Sequence, residues 1–204
     1  MRPMEYQNFF NDFKNAAVIV AHPDDETLWS GGTILSHPHI QWTIMSLSRK
    51  SDPDRAPKFS KAAEIYRAKG LITDLDDGPE QNPVSIFEIE TLILNELQQR
   101  QFDLVITHNI RGEYTRHLRH EEVSQAVAQL IKSRKIVCKK FLNFAYEDGG
   151  KKYLPKPQAD ADLKITLQPE IWEKKKFIIS NTYSFSPDSF EAKVCSNIEA
   201  FRIM

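Results

Sequence analysis

At 204 residues, 41% hydrophobic and 27% charged, the chain holds enough apolar material for one sizeable core, expected as a single domain over residues 1–204. A formal net charge of −1 excludes the basic footprint of a nucleic-acid or membrane-surface binder, and no apolar run approaches the span of a bilayer. Two cysteines, Cys138 and Cys195, stand far apart, and the polar stretch Met1 to Asn15 lacks the apolar core of a leader, so a cytoplasmic location is expected.

Short apolar runs alternate with longer segments of helical period, the pattern of an α/β fold with a mostly parallel sheet flanked by helices. The first strand is expected over Ala16–Ala21, followed by a helix over Glu26–Leu35. A strand over Trp42–Leu47 leads to a helix over Pro57–Lys69, and a strand over Leu71–Leu75 to a helix over Ser85–Arg100. This last helix is the clearest, because Ile86, Ile89, Ile93 and Leu97 recur on one face. Asp103–Thr107 then reads as a buried strand, Glu121–Arg134 as a helix and Lys140–Tyr146 as a strand. Gly149–Gln158 is rich in turn residues and is expected as a surface loop over the functional crevice. A late strand over Ala161–Leu167 and a helix over Pro169–Asn181, opened by proline, complete the expected elements. The late strand and the exposed closing segment are candidates for an interface between copies, so a homo-oligomer stays open.

Chemistry concentrates behind two of these strands. Ala21-His22-Pro23-Asp24-Asp25-Glu26 follows the first strand and places an imidazole and three carboxylates beyond its carboxyl end, where open α/β sheets bind ligands. Behind the Asp103–Thr107 strand come His108, then Gly112-Glu113-Tyr114-Thr115-Arg116-His117-Leu118-Arg119-His120. Two strand C-termini of one parallel sheet would deliver His22, Asp25 and His120 to one crevice. Two histidines and a carboxylate with an open position form the ligand set of a catalytic zinc site, although iron, cobalt or manganese also suit it. Asp24 would then be free to take a proton from the metal-bound water. The plainer reading makes Asp24, Asp25 and Glu26 a helix cap, with His117 and His120 as loop residues. The recurrence of such a motif behind two buried strands favours the metal.

The hexapeptide with Gly31-Gly32-Thr33 resembles the signature of the LmbE-like (PIG-L) family of zinc-dependent N-deacetylases. The likeness extends to Gly112-Glu113-Tyr114, His117 and His120, the Arg55-to-Gly70 segment and the closing Glu199-Ala200-Phe201-Arg202. It implies a Rossmann-like three-layer fold and hydrolysis of an N-acyl group, usually acetyl, from an amino sugar or its conjugate. It also implies that His22, Asp25 and His120 hold Zn2+, that Asp24 is the general base, and that His117 polarises the carbonyl. Tyr114 would be a substrate contact. Many members carry Pro-Asp between the two histidines, where this chain has Leu118-Arg119, and the Tyr114-to-His117 spacing is one residue longer here.

The physics of amide hydrolysis accords with that set, since it needs a nucleophile at neutral pH, a home for the oxyanion and a proton for the departing amine. Arg55, in the loop behind the second strand, is a candidate clamp for sugar hydroxyls or an anionic group. His37 and His39 read as surface residues and His108 as a supporting one. Gly31-Gly32 lacks the dinucleotide fingerprint and reads as an allowance for close helix packing. A metal-dependent amidase acting on a non-sugar or thiol-conjugate amide, and a catalytically idle metal- or ligand-binding protein, share the same ligand set.

Overall fold

A computed structural model describes residues 9–115 and 117–204; the first residues of the stretch expected to lack a leader, and Arg116 of the second motif, lie outside it. The first strand, β1 (Asn15–Val20), is almost wholly apolar and buried along its length, as a strand covered on both faces must be. It leads through the His22 turn into α1 (Asp25–Ser36). Then follow β2 (Gln41–Ser46), α2 (Arg55–Tyr66), β3 (Lys69–Ile72), α3 (Ile86–Glu96), β4 (Gln101–Thr107), α4 (Leu118–Lys132) and β5 (Val137–Phe144). These five strands run parallel, each expected from the sequence and each found with shifted ends.

The remaining elements are β6 (Tyr146–Glu147), β7 (Lys156–Pro157), β8 (Leu163–Thr166), α5 (Pro169–Phe177), a π-helical turn over Ile178–Thr182, α6 (Phe190–Val194) and β9 (Ile198–Ile203). β9 enters between β5 and β8 and is antiparallel to both, giving the sheet order β3-β2-β1-β4-β5-β9-β8. The segment expected to be exposed is thus an interior strand, with Ala200 and Phe201 fully buried. The expected helix over 169–181 stops being α-helical at Phe177 and widens into the π turn.

Alternate residues of β1 feed two cores. Val18 and Val20 pack with Trp29 of α1, Phe59 of α2 and Ile178. Ala17 and Ile19 pack with Ile89 and Ile93 of α3 and with Val123 and Val127 of α4. Helices therefore cover both faces of the sheet, in three layers. No helix among the described residues is long and apolar enough to cross a membrane.

The glycine pair shows how tightly α1 is seated. A Cβ on Gly32 would come within 2.3 Å of Leu167, and one on Gly31 within 2.7 Å of the Tyr66 hydroxyl. The close approach lets Glu199 of β9 accept hydrogen bonds from the Gly32 and Thr33 N–H groups, both at 2.7 Å, and from the Thr33 hydroxyl at 2.6 Å. Lys175 of α5, also fully buried, neutralises that carboxylate at 2.8 Å. One carboxylate thus fixes the helix that begins with Asp25.

Candidate metal centre

The strand order reverses between β1 and β4, and at such a point the connections leave in opposite directions and open a crevice beyond the strand ends. The loops behind β1 and β4 meet there. His22 Nδ1 lies 3.1 Å from Asp25 Oδ2, His120 Nε2 lies 3.3 Å from the same oxygen, and the two nitrogens are 3.2 Å apart. Ligands held at about 2.05 Å on a tetrahedral zinc stand about 3.3 Å from one another. The triangle formed by His22, Asp25 and His120 therefore fits one such ion, and the expected trio is brought together.

Both imidazoles have a carboxylate behind them. His120 directs Nδ1 at Glu113 Oε2, 2.6 Å away, which leaves Nε2 to face the triangle. Asp77 Oδ1 stands 3.2 Å from His22 Nε2, short of good hydrogen-bond alignment, and the Arg49 guanidinium grips its other oxygen at 2.5 Å. Such outer carboxylates fix ring orientation and raise ligand basicity. His108 supports the centre from beneath. Its Nε2 accepts the Ala21 N–H at 2.9 Å, so its proton belongs on Nδ1, which donates to the same Glu113 oxygen at 2.9 Å. The rings of His108, His120 and His117 form a stack, with centroids 3.9 Å and 4.3 Å apart.

The electrostatics of the metal-free cluster follow from burial and charge. Burial alone would raise Asp25, but His120 and His108 outweigh it and hold its carboxyl well below the usual range. Burial would also raise Glu113, and the same two imidazoles bring it down to about 2. Asp24 goes the other way, raised by burial and by the neighbouring Asp25 charge, with Arg55 opposing. Burial, assisted by His120 and His22, pushes His117 down to about 3, so its ring is neutral.

A crevice of about 280 Å3 opens over the cluster, and its walls include Asp24, Arg55, Tyr114 and His117. Asp24 occupies the helix-capping position of α1 without capping it. Its φ of 115° lies in the left-handed region, and its side chain makes no cap hydrogen bond. Asp24 itself is therefore no side-chain cap, while Asp25 and Glu26 stand in the first turn of the helix. Asp24 Oδ2 faces the Arg55 guanidinium at 3.4 Å. His117 buries an Nδ1 that has no hydrogen-bond partner. Tyr114 packs edge-on against Phe190 at 5.1 Å.

Arg119 turns away from these groups. Its buried guanidinium pairs with Glu122 and reaches the Asn82 carbonyl at 3.1 Å, while Glu122 accepts the Val84 N–H at 2.9 Å. The start of α4 thus ties down the β3–α3 connection that carries Asp77. The 149–158 loop, expected over the crevice, contributes none of its lining and instead borders clefts beside Tyr114. Asp77 and Glu113 received no role from the sequence. Asp77 closes the acidic run behind β3, so the strand-end rule that singled out His22 also pointed to it.

No family model matches the chain. An uncharacterized protein of Acanthamoeba polyphaga mimivirus is 22% identical over 124 residues, 53% of this chain and 54% of that protein, so the chain spans about half the length of the curated relative it matches. Among solved structures, N,N'-diacetylchitobiose deacetylase from Pyrococcus horikoshii is similar with a TM-score of 0.73, 16% identity, and coverage of 98% of this chain and 87% of that one. The zinc-inhibited form of teicoplanin deacetylase gives 0.62 and 13%, covering 84% of each chain. A 4-carboxy-2-hydroxymuconate hydratase from Pseudomonas putida gives 0.59 and 14%, covering 94% and 95%. The chain has the fold of these deacetylases, with the same mostly parallel central sheet.

Proposed function

We propose that the protein is a metal-dependent hydrolase that removes an N-acetyl group from an amino sugar or its conjugate. The observation that carries this reading is the triangle of His22, Asp25 and His120 donor atoms, 3.1–3.3 Å on each side, at the sheet's switch point. The deacetylases among the structural neighbours support the choice of reaction, and the amino-sugar substrate named for one of them supports the substrate class.

His22, Asp25 and His120 would hold the ion, and two imidazoles with one carboxylate suit zinc. Bound there, it would supply Lewis-acid polarisation of the amide carbonyl and a water ionised at neutral pH. Asp24 takes the proton released as water adds to the carbonyl, and a buried carboxylate with a raised proton affinity is suited to receive it. The same carboxyl then returns that proton to the amine nitrogen as the carbon–nitrogen bond breaks, leaving acetate and a free amine. His117, kept neutral, offers an N–H donor to the developing oxyanion, where one such donor is worth roughly 10²–10³ in rate. Arg55 and Tyr114, both in the crevice wall, orient the sugar. Their planar and phenolic donors match hydroxyl and carbonyl oxygens.

The direct test combines elemental analysis of purified protein with amine release from N-acetylglucosamine and its conjugates. Asp24→Asn should keep the metal while deacetylation falls by roughly 10²-fold or more. Undiminished turnover in that variant would remove Asp24 as base.

A further inference from the structure

The proposed base sits in a backbone conformation that an aspartate does not adopt unaided, so something must hold it. Two chains of contact reach Asp24, and both start from one segment, 178–185. In the first, the Asp24 N–H donates to Glu26 Oε2 at 3.0 Å. Glu26 Oε1 in turn accepts the Tyr183 hydroxyl at 2.7 Å and the Thr27 hydroxyl at 2.6 Å. Tyr66 steadies Thr27 at 2.8 Å. Glu26 and Tyr183 are each only 1% exposed, so water does not substitute for these bonds. In the second chain, Phe185 lies beneath the Arg55 guanidinium at 4.5 Å, and Arg55 faces the Asp24 carboxylate at 3.4 Å.

The segment's own geometry brings both aromatic rings to this place. The π-helical turn closes with Tyr183 N–H on the Ile178 carbonyl at 2.9 Å. Ser184, at a φ of 63°, then reverses the chain so that Phe185 lands beside Tyr183, ring centroids 6.3 Å apart. Widened turns of this kind recur where a helix must present a side chain to a functional site.

We infer that the 178–185 segment is a clamp that positions the general base, with Tyr183 holding the Asp24 backbone through Glu26 and Phe185 holding its carboxylate through Arg55. This rests on the hydrolase reading above. Neither ring lines the crevice, so both are positioning residues. Glu26 belongs to the same device, as the link between Tyr183 and the Asp24 amide.

The test uses Tyr183→Phe, which removes one hydroxyl, and Phe185→Leu, which removes the ring under Arg55 at a half-buried position. Each should lower kcat between about 10-fold and 100-fold with metal content unchanged, the size expected when a catalytic group is misplaced by up to an ångström. KM should hold in Tyr183→Phe, which leaves Arg55 untouched, and rise in Phe185→Leu, which frees the Arg55 that orients the sugar. The same substitutions placed on Asp24→Asn, assayed at high enzyme concentration, should cost nothing further. Wild-type kcat in both single variants overturns the clamp, as does an equal loss with and without Asp24, which marks a merely structural role. Phe185→Leu carries the test should Tyr183→Phe fail to fold. Inactivity of the wild-type protein on every N-acetyl substrate would instead sink the hydrolase reading, which separates the two failures.

Discussion

Replacing Glu113 with glutamine probes the centre from behind. Glu113 is fully buried and receives His120 Nδ1 at 2.6 Å, His108 Nδ1 at 2.9 Å and the Asn109 N–H at 2.8 Å. His108 must carry its proton on Nδ1, because its Nε2 already accepts the Ala21 N–H. His120 must do the same if Nε2 is to face a metal. Three N–H donors therefore converge on a group that accepts at both oxygens only when ionised. Glutamine has one accepting end. If its amide NH2 faces the histidines, two donors are opposed; if it faces Asn109, one is. The better orientation still strands the part-buried Asn109 N–H, a loss toward the low end of about 1–3 kcal/mol. Loss of the charge behind His120 should also weaken metal binding about 10–100-fold, equivalent to about 1.4–2.8 kcal/mol. Urea unfolding of EDTA-treated Glu113→Gln measures the first effect, and competitive metal titration measures the second. A variant matching wild type in both would refute the assignment of protons in this cluster.

Two further outcomes follow from buried charges. Glu199→Gln strands the fully buried Lys175 ammonium, which should cost about 3–5 kcal/mol of stability; a urea midpoint equal to wild type would contradict it. Burial opposes a charge on His120, but the Asp25 and Glu113 carboxylates prevail and push it from 6.5 up to about 10. A group raised on folding stabilises the metal-free fold fully below 6.5 and loses that contribution as pH climbs through about 10. EDTA-treated protein should thus be less stable at pH 10 than at pH 7, a difference smaller in His120→Gln, where the Cys138 and Cys195 thiols, also raised by burial, still contribute. Metal binding, which must displace that proton, should tighten over the same interval. The opposite trend in either measurement would count against the protonated cluster.

The centre of the parallel sheet was readable because β1, β2 and β4 are buried nearly end to end and stop abruptly at polar turns, as Val20 does before His22. The convergence of His22, Asp25 and His120 was readable for the same reason, since each stands directly behind a strand or in the first turn of a helix. β9 was not, because Glu199 interrupts its apolar run, and the partners that make that acid tolerable, Lys175 and the Gly32 and Thr33 amides, lie far away in sequence. Asp77 escaped notice because its partner His22 is reached across the sheet, from a connection without periodic pattern. The left-handed turn at Asp24 also has no local signature. Aspartate next to a helix start ordinarily reads as a cap, and its contacts with Glu26 and Arg55 come from groups whose own supports lie far along the chain.

The seating of α1 by Glu199 bears on how the molecule comes together. The bonds from Gly32 and Thr33 close loops of 167 and 166 residues, and closures that long come late in folding because chain entropy must be overcome first. A nascent molecule whose antiparallel strands have not yet docked has no anion to anchor the helix opening at Asp25. On the hydrolase reading proposed above, amine release should therefore appear only with the last kinetic phase of refolding, after most of the parallel sheet has already formed.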